Sequence, residues 1–66
     1  MNDRIIAHDL ADARVRLRRA LLELDRVEIA SSPREMLAHT IEAHQSVLDA
    51  AHTLHLLGTA LRETPP

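Results

Sequence analysis

The chain has 66 residues, a formal net charge of −2 with histidine neutral, and no cysteine or aromatic residue. This length allows one small domain near the lower limit for a self-sufficient hydrophobic core. The composition excludes disulfides and thiolate zinc sites, and it removes the aromatic side chains on which nucleic-acid bases stack. The sequence contains no bilayer-spanning run and no signal-peptide pattern, so we expect a soluble, cytoplasmic protein.

The first predicted element is a helix over residues 3–29, capped by Asn2 or Asp3. Its apolar residues recur in alternating steps of four and three, which is typical of a coiled-coil seam. They are Ile6, Leu10, Ala13, Leu17, Ala20, Leu24 and Val27. We expect this column to pack against the second helix.

A turn over residues 30–32 carries the clearest local signal. In Ser32-Pro33-Arg34-Glu35 the serine suits the N-cap, the proline suits the first helical position, and the glutamate completes a capping box. The second helix is therefore predicted over residues 33–62. Because so short a connection makes the helices antiparallel neighbours, residues 1–66 are predicted to form one all-α, coiled-coil-like hairpin domain.

The second helix has a mixed aliphatic and small-residue column that we expect to face the first helix. Its members are Leu37, Ile41, His44, Val47, Leu48, Ala51, Leu54, Gly58 and Leu61. Glycine inside a helix costs about 1 kcal/mol relative to alanine, so we expect Gly58 to serve close packing between the helices. Residues 64–66 are expected to be a frayed tail.

A second apolar column lies on the far side of the first helix, about 160° from the seam column at 100° per residue. One neighbouring helix cannot cover both columns. The hairpin is therefore predicted to be completed by a partner, or by dimerisation into a helical bundle. Apolar residues beside arginine are typical of interface cores and rims. The predicted partner-binding residues, here called the outer stripe, are Ala11, Val15, Arg18, Leu22 and Ile29.

The remaining chemistry favours a protein without catalytic activity, metal or cofactor. The histidines lack zinc-site spacing, so His44 and His55 are expected at the seam rim and the other three in solvent. The four arginines of segment 14–19 spread around the helix and two of them, Arg16 and Arg19, have acidic residues four positions away at Asp12 and Glu23. This distribution argues against nucleic-acid binding. The sequence has no cysteine nucleophile and no glycine-rich phosphate loop.

Segments 32–36 and 47–57 resemble the small E-type co-chaperones of bacterial type III secretion. Members of that family are helical hairpins with a polar turn, a proline-containing start to the second helix and an aliphatic run within it. The family tends to have a tyrosine where this chain has Met36 and Leu37. The resemblance implies an adaptor that pairs with a helical-repeat chaperone and holds a secreted needle subunit before export.

The alternative is a homodimer. Two antiparallel helices with leucine and alanine seams are similar in architecture to the plasmid copy-control repressor Rop, in which two hairpins form a four-helix bundle. That resemblance implies a regulatory function linked to nucleic acid. This chain lacks the aromatic residue and the basic excess of the Rop RNA-binding face, so the architecture is expected to carry over without the RNA function.

Overall fold

The computed structural model describes residues 3–63 and contains two α-helices, α1 (Asp3–Ile29) and α2 (Pro33–Arg62). The helices pack against each other along a hairpin 51 Å long, which confirms the predicted all-α hairpin. Within the described residues, neither helix has a stretch long and apolar enough to cross a membrane. The predicted cap at Asn2 or Asp3 depends on side chains outside the part of the chain that the structure describes. The predicted tail, residues 64–66, also lies outside the described residues.

The start of α2 shows how the turn is fixed. Ser32 has extended backbone geometry, and its Oγ accepts a hydrogen bond of 3.2 Å from the backbone N–H of Glu35. The Glu35 carboxylate in turn accepts from the backbone N–H and the hydroxyl of Ser31, each at 3.1 Å. The capping box therefore forms with its reciprocal half moved back by one residue. It satisfies the backbone N–H of Glu35, which the start of the helix would otherwise leave unpaired, and that of Ser31, which precedes the cap.

Small side chains make the contact between the helices. Ala13 and Ala20 of α1 and Ala43 and Ala50 of α2 are each no more than 5% exposed. Among the described residues, Leu57 is the one large apolar side chain that is buried, at 9% exposure. Because the stabilisation from burial scales with apolar area, this seam stabilises the hairpin far less than a leucine seam of equal length would.

The predicted seam of α1 is half wrong. Ala13 and Ala20 are buried, and Ile6 and Val27 at the two ends are half-buried. The leucines of the same column are exposed: Leu10 by 39%, Leu17 by 40% and Leu24 by 50%. Each leucine follows a seam residue by four positions, which turns it about 40° away from that residue. The leucines therefore stand at the edge of the seam instead of inside it.

The predicted inner face of α2 is wrong. Leu37, Ile41, His44, Val47, Leu48, Ala51, Leu54 and Leu61 are exposed and Gly58 is half-buried. The buried residues are Ala43, Ser46, Ala50 and Leu57. The true seam runs through Ala50 instead of Ala51, a rotation of about 100° around the helix. A Cβ added at Gly58 would meet nothing within 4 Å, so close packing within the hairpin does not explain this glycine.

The alanine seam predicts a steric limit. Ala50 is 0% exposed, so Ala50→Leu places three more carbons between the helices and should lower the free energy of unfolding by about 1–3 kcal/mol. The matched control is Ala38→Leu, which makes the same change at an exposed position of α2. Thermal unfolding followed by circular dichroism measures both. Equal melting temperatures for the two variants would contradict the seam.

Candidate interaction surfaces

Charged side chains line one edge of the hairpin and connect its helices. Arg16 donates through Nε to Asp12 at 2.9 Å, as its spacing predicts, and through Nη1 to Asp49 of α2 at 3.3 Å. The Thr53 hydroxyl donates to Asp12 and the Gln45 amide donates to Asp49, both at 3.0 Å. One arginine thus joins carboxylates from both helices. We give the name polar edge to this side of the hairpin, which consists of Asp12, Arg16, Gln45, Asp49 and Thr53 together with the buried carboxylate Glu23.

Glu23 is a buried carboxylate, with 5% of its surface exposed. It accepts hydrogen bonds from Nδ1 of His39, at 2.7 Å, and from Nη1 of Arg26. Burial of a charged group is tolerated only where partners replace its water. The predicted pairing of Arg19 with Glu23 is wrong, because Arg26 and His39 donate the hydrogen bonds to Glu23 instead. The prediction of a solvent position for His39 is also wrong, because it is half-buried.

These contacts favour the ionised forms of three carboxyl groups. The hydrogen bond from His39 lowers the pKa of Glu23 below its ordinary value of 4.5. Hydrogen bonds from Arg16 and then Thr53 lower the pKa of Asp12, and the backbone N–H of Ser31 lowers that of Glu35. A carboxyl whose pKa is lower in the folded state stabilises that state above the unfolded pKa. The contribution is lost as pH falls through the folded pKa.

The opposite edge carries aliphatic side chains from both helices. Six of them form a surface that we call the leucine face: Leu10, Leu17 and Leu24 of α1 with Val47, Leu54 and Leu61 of α2. Each follows a seam residue by four positions, on the side away from the polar edge. Because the Asp12–Thr53 and Arg16–Asp49 contacts occupy one edge of the helix pair, these two columns share the other edge.

The leucine face is only partly covered within one chain. Its six members are between 39% and 50% exposed, with Leu10 the least and Leu24 the most exposed. Soluble monomers rarely expose a contiguous apolar patch of more than a few hundred Å² unless it binds something. The sequence did identify all six residues as apolar columns, but it placed them between the helices instead of beside them.

The outer stripe is a separate surface on α1. Val15 is 61% exposed, Leu22 50% and Ile29 82%, while Ala11 and Arg18 are also exposed. At 100° per residue these apolar side chains lie about 140° from the α1 leucines. The leucine face is therefore built from both helices, whereas the outer stripe belongs to α1 alone.

A shallow, open depression of about 400 Å³ lies beside the polar edge, between Val15 and Arg19 of α1 and Glu42 and Ser46 of α2. Its central charges belong to the paired network around Arg16. Among residues 3–63, no three histidine, aspartate or glutamate side chains converge as metal ligands would. Comparison with protein-family models, curated proteins and solved structures finds no match to this chain. The function of the chain must therefore be inferred from the surfaces of the hairpin.

The lowered carboxyl pKa values predict that acid weakens the hairpin. The melting temperature should fall as pH drops below about 5, because Glu23, Asp12 and Glu35 lose their stabilising negative charge as pH falls through their lowered folded-state pKa values. Glu23→Gln should melt at a lower temperature at pH 5 and show a smaller further drop. Asp25→Asn, a matched change at an exposed site of α1, is the control. An acid-induced drop of the same size in both variants would contradict a role for Glu23.

Proposed function

We propose that this protein is a non-catalytic interaction adaptor, a helical hairpin that works by packing against helices of other chains. One observation carries the proposal. Sixteen large hydrophobic side chains are exposed, whereas the described part of the hairpin interior contains one buried leucine and four buried alanines. Most of the large apolar side chains thus lie outside the fold that the chain makes alone.

The two apolar surfaces suit helical partners. Val15, Leu22 and Ile29 follow one another at steps of seven, the spacing at which a straight ridge of side chains fits along another helix. Arg18 and Arg26 lie beside this ridge and can supply a polar rim. The outer stripe is therefore our proposed binding site for a partner of a different kind.

The resemblance to type III secretion co-chaperones suggests what that partner is. A helical-repeat chaperone, with or without a secreted subunit, would offer the concave helical surface into which a ridge on α1 fits. The proposed place of action is the cytoplasm. A regulatory homodimer of the Rop type remains the second candidate, and the leucine face favours the pairing that it requires. Nothing on the polar edge favours nucleic acid, since the positive charge of Arg16 is already paired with Asp12 and Asp49.

The outer stripe can be tested by its effect on partner capture. Leu22→Asp would put an unpaired charge into the contact, so the tagged variant should lose the partner that the wild-type chain co-purifies from cells of its source. Its own helicity should be retained. The control is Leu56→Asp, because Leu56 has the same 50% exposure and lies seven residues after Asp49, along the polar edge. Equal capture by wild type and both variants would overturn the proposed binding site.

A further inference from the structure

We infer that the leucine face is closed by a second copy of this chain. The inference deepens the proposed function, on which it rests, by dividing the two apolar surfaces between two kinds of contact. The leucine face holds two hairpins together. The outer stripe stays outside that pair, available to a different partner.

The surface area of the chain supports a second copy. The hairpin has 5322 Å² of accessible surface, whereas a compact protein of its 7.4 kDa mass would have about 4,200 Å². The excess is about 1,100 Å² per chain, which falls in the range of about 1,000–2,500 Å² per chain that permanent dimers bury. A compact pair of chains would have about 3,500 Å² of surface per chain, so a contact that buries about 1,800 Å² per chain, also within this range, would bring the pair to normal compactness.

The dimensions lead to the same conclusion. The radius of gyration is 15.3 Å, compared with about 11 Å for a compact chain of this length. A compact particle of twice the length would have about 14 Å. Two hairpins packed side by side, without any increase in length, would therefore have the proportions of a normal globular protein.

The distribution of charge favours the leucine face over the polar edge as the contact with a second copy. Burial of the polar edge would take Arg16, Asp12 and Asp49 out of water, at a cost that their mutual contacts only partly offset. The leucine face has no charged member. A contact through the leucine face leaves the part-exposed side chains of Arg16, Asp12 and Asp49 in solvent.

The leucine face is also complementary to itself. The Arg16–Asp49 and Asp12–Thr53 contacts place Leu17 at the height of Val47 and Leu10 at the height of Leu54. A twofold axis parallel to the helices would set the α1 column of each copy over the α2 column of the other at matching heights. Leu17 would then meet Val47 of the second copy, and neighbouring helices would all be antiparallel, as in helical bundles.

The first test is the mass of the purified, full-length wild-type chain by sedimentation equilibrium. We expect twice the mass of one chain at high micromolar concentration, with dissociation on dilution. A helical species with the mass of one chain at every concentration would overturn the inference. So would a trimer or a larger assembly, because neither closes the leucine face in a single pair.

The second test locates the contact without adding a charge that could unfold the protein. The chain has no cysteine, so Leu17→Cys and Leu22→Cys each introduce one thiol, and Ellman's reagent can measure its reactivity. In the dimer the thiol at position 17 should react several-fold more slowly than that at 22, and the difference should shrink on dilution. Equal reactivity where the wild type sediments as a dimer would place the contact elsewhere and overturn the inference.

These results are separable from the proposed function. A monomer that still loses its partner on Leu22→Asp would refute the second copy and leave the adaptor function intact. A dimer whose partner capture is unchanged by Leu22→Asp would leave the pairing intact and refute the partner-binding role of the outer stripe.

Discussion

Contact between alanines of α1 and α2 is the constraint from which the other features of this protein follow. The apolar side chains buried between the described helices are alanines at 13, 20, 43 and 50 and the single leucine Leu57, so most of the large aliphatic side chains stand outside the seam. A seam of this kind buries little apolar area. Helices of 27 and 30 residues owe most of their stability to packing. The small apolar area buried within one hairpin therefore stabilises its fold only weakly.

The two edges of the seam differ in chemistry, one being charged and hydrogen-bonded and the other apolar. On the polar edge, Arg16 bridges Asp12 and Asp49, and Glu23 is held by His39 and Arg26. These contacts set the register of the helices through directional hydrogen bonds, which apolar contacts alone specify poorly. On the other edge, the leucine face supplies the apolar area that the alanine seam lacks. The hydrogen bonds that join the two helices and the uncovered leucine face therefore lie on opposite edges of the hairpin.

The sequence predicted the elements better than their rotation. The helix ranges, the serine cap and the Asp12–Arg16 pair follow from local signals, and the structure contains all three. The rotation of α2 does not follow, because Ala43 and Ala50 compete with Ala51 and Gly58 as a small-residue column seven apart. Hydrophobicity alone favours the column with Ala51 and Gly58 as the seam, because leucines flank it. The seam instead accepts Ser46 and Glu23, since a polar group inside it can be hydrogen-bonded from the facing helix, as Glu23 is by His39.

We therefore expect the folding and the association of this chain to be coupled in one equilibrium. This coupling is tested most directly by melting the wild-type chain, followed by circular dichroism, over a hundredfold range of concentration. If the leucine face must be covered for the hairpin to persist, the melting temperature and the helical signal at low temperature both decrease with dilution. A melting temperature independent of concentration, with full helicity in the most dilute sample, would contradict this coupling.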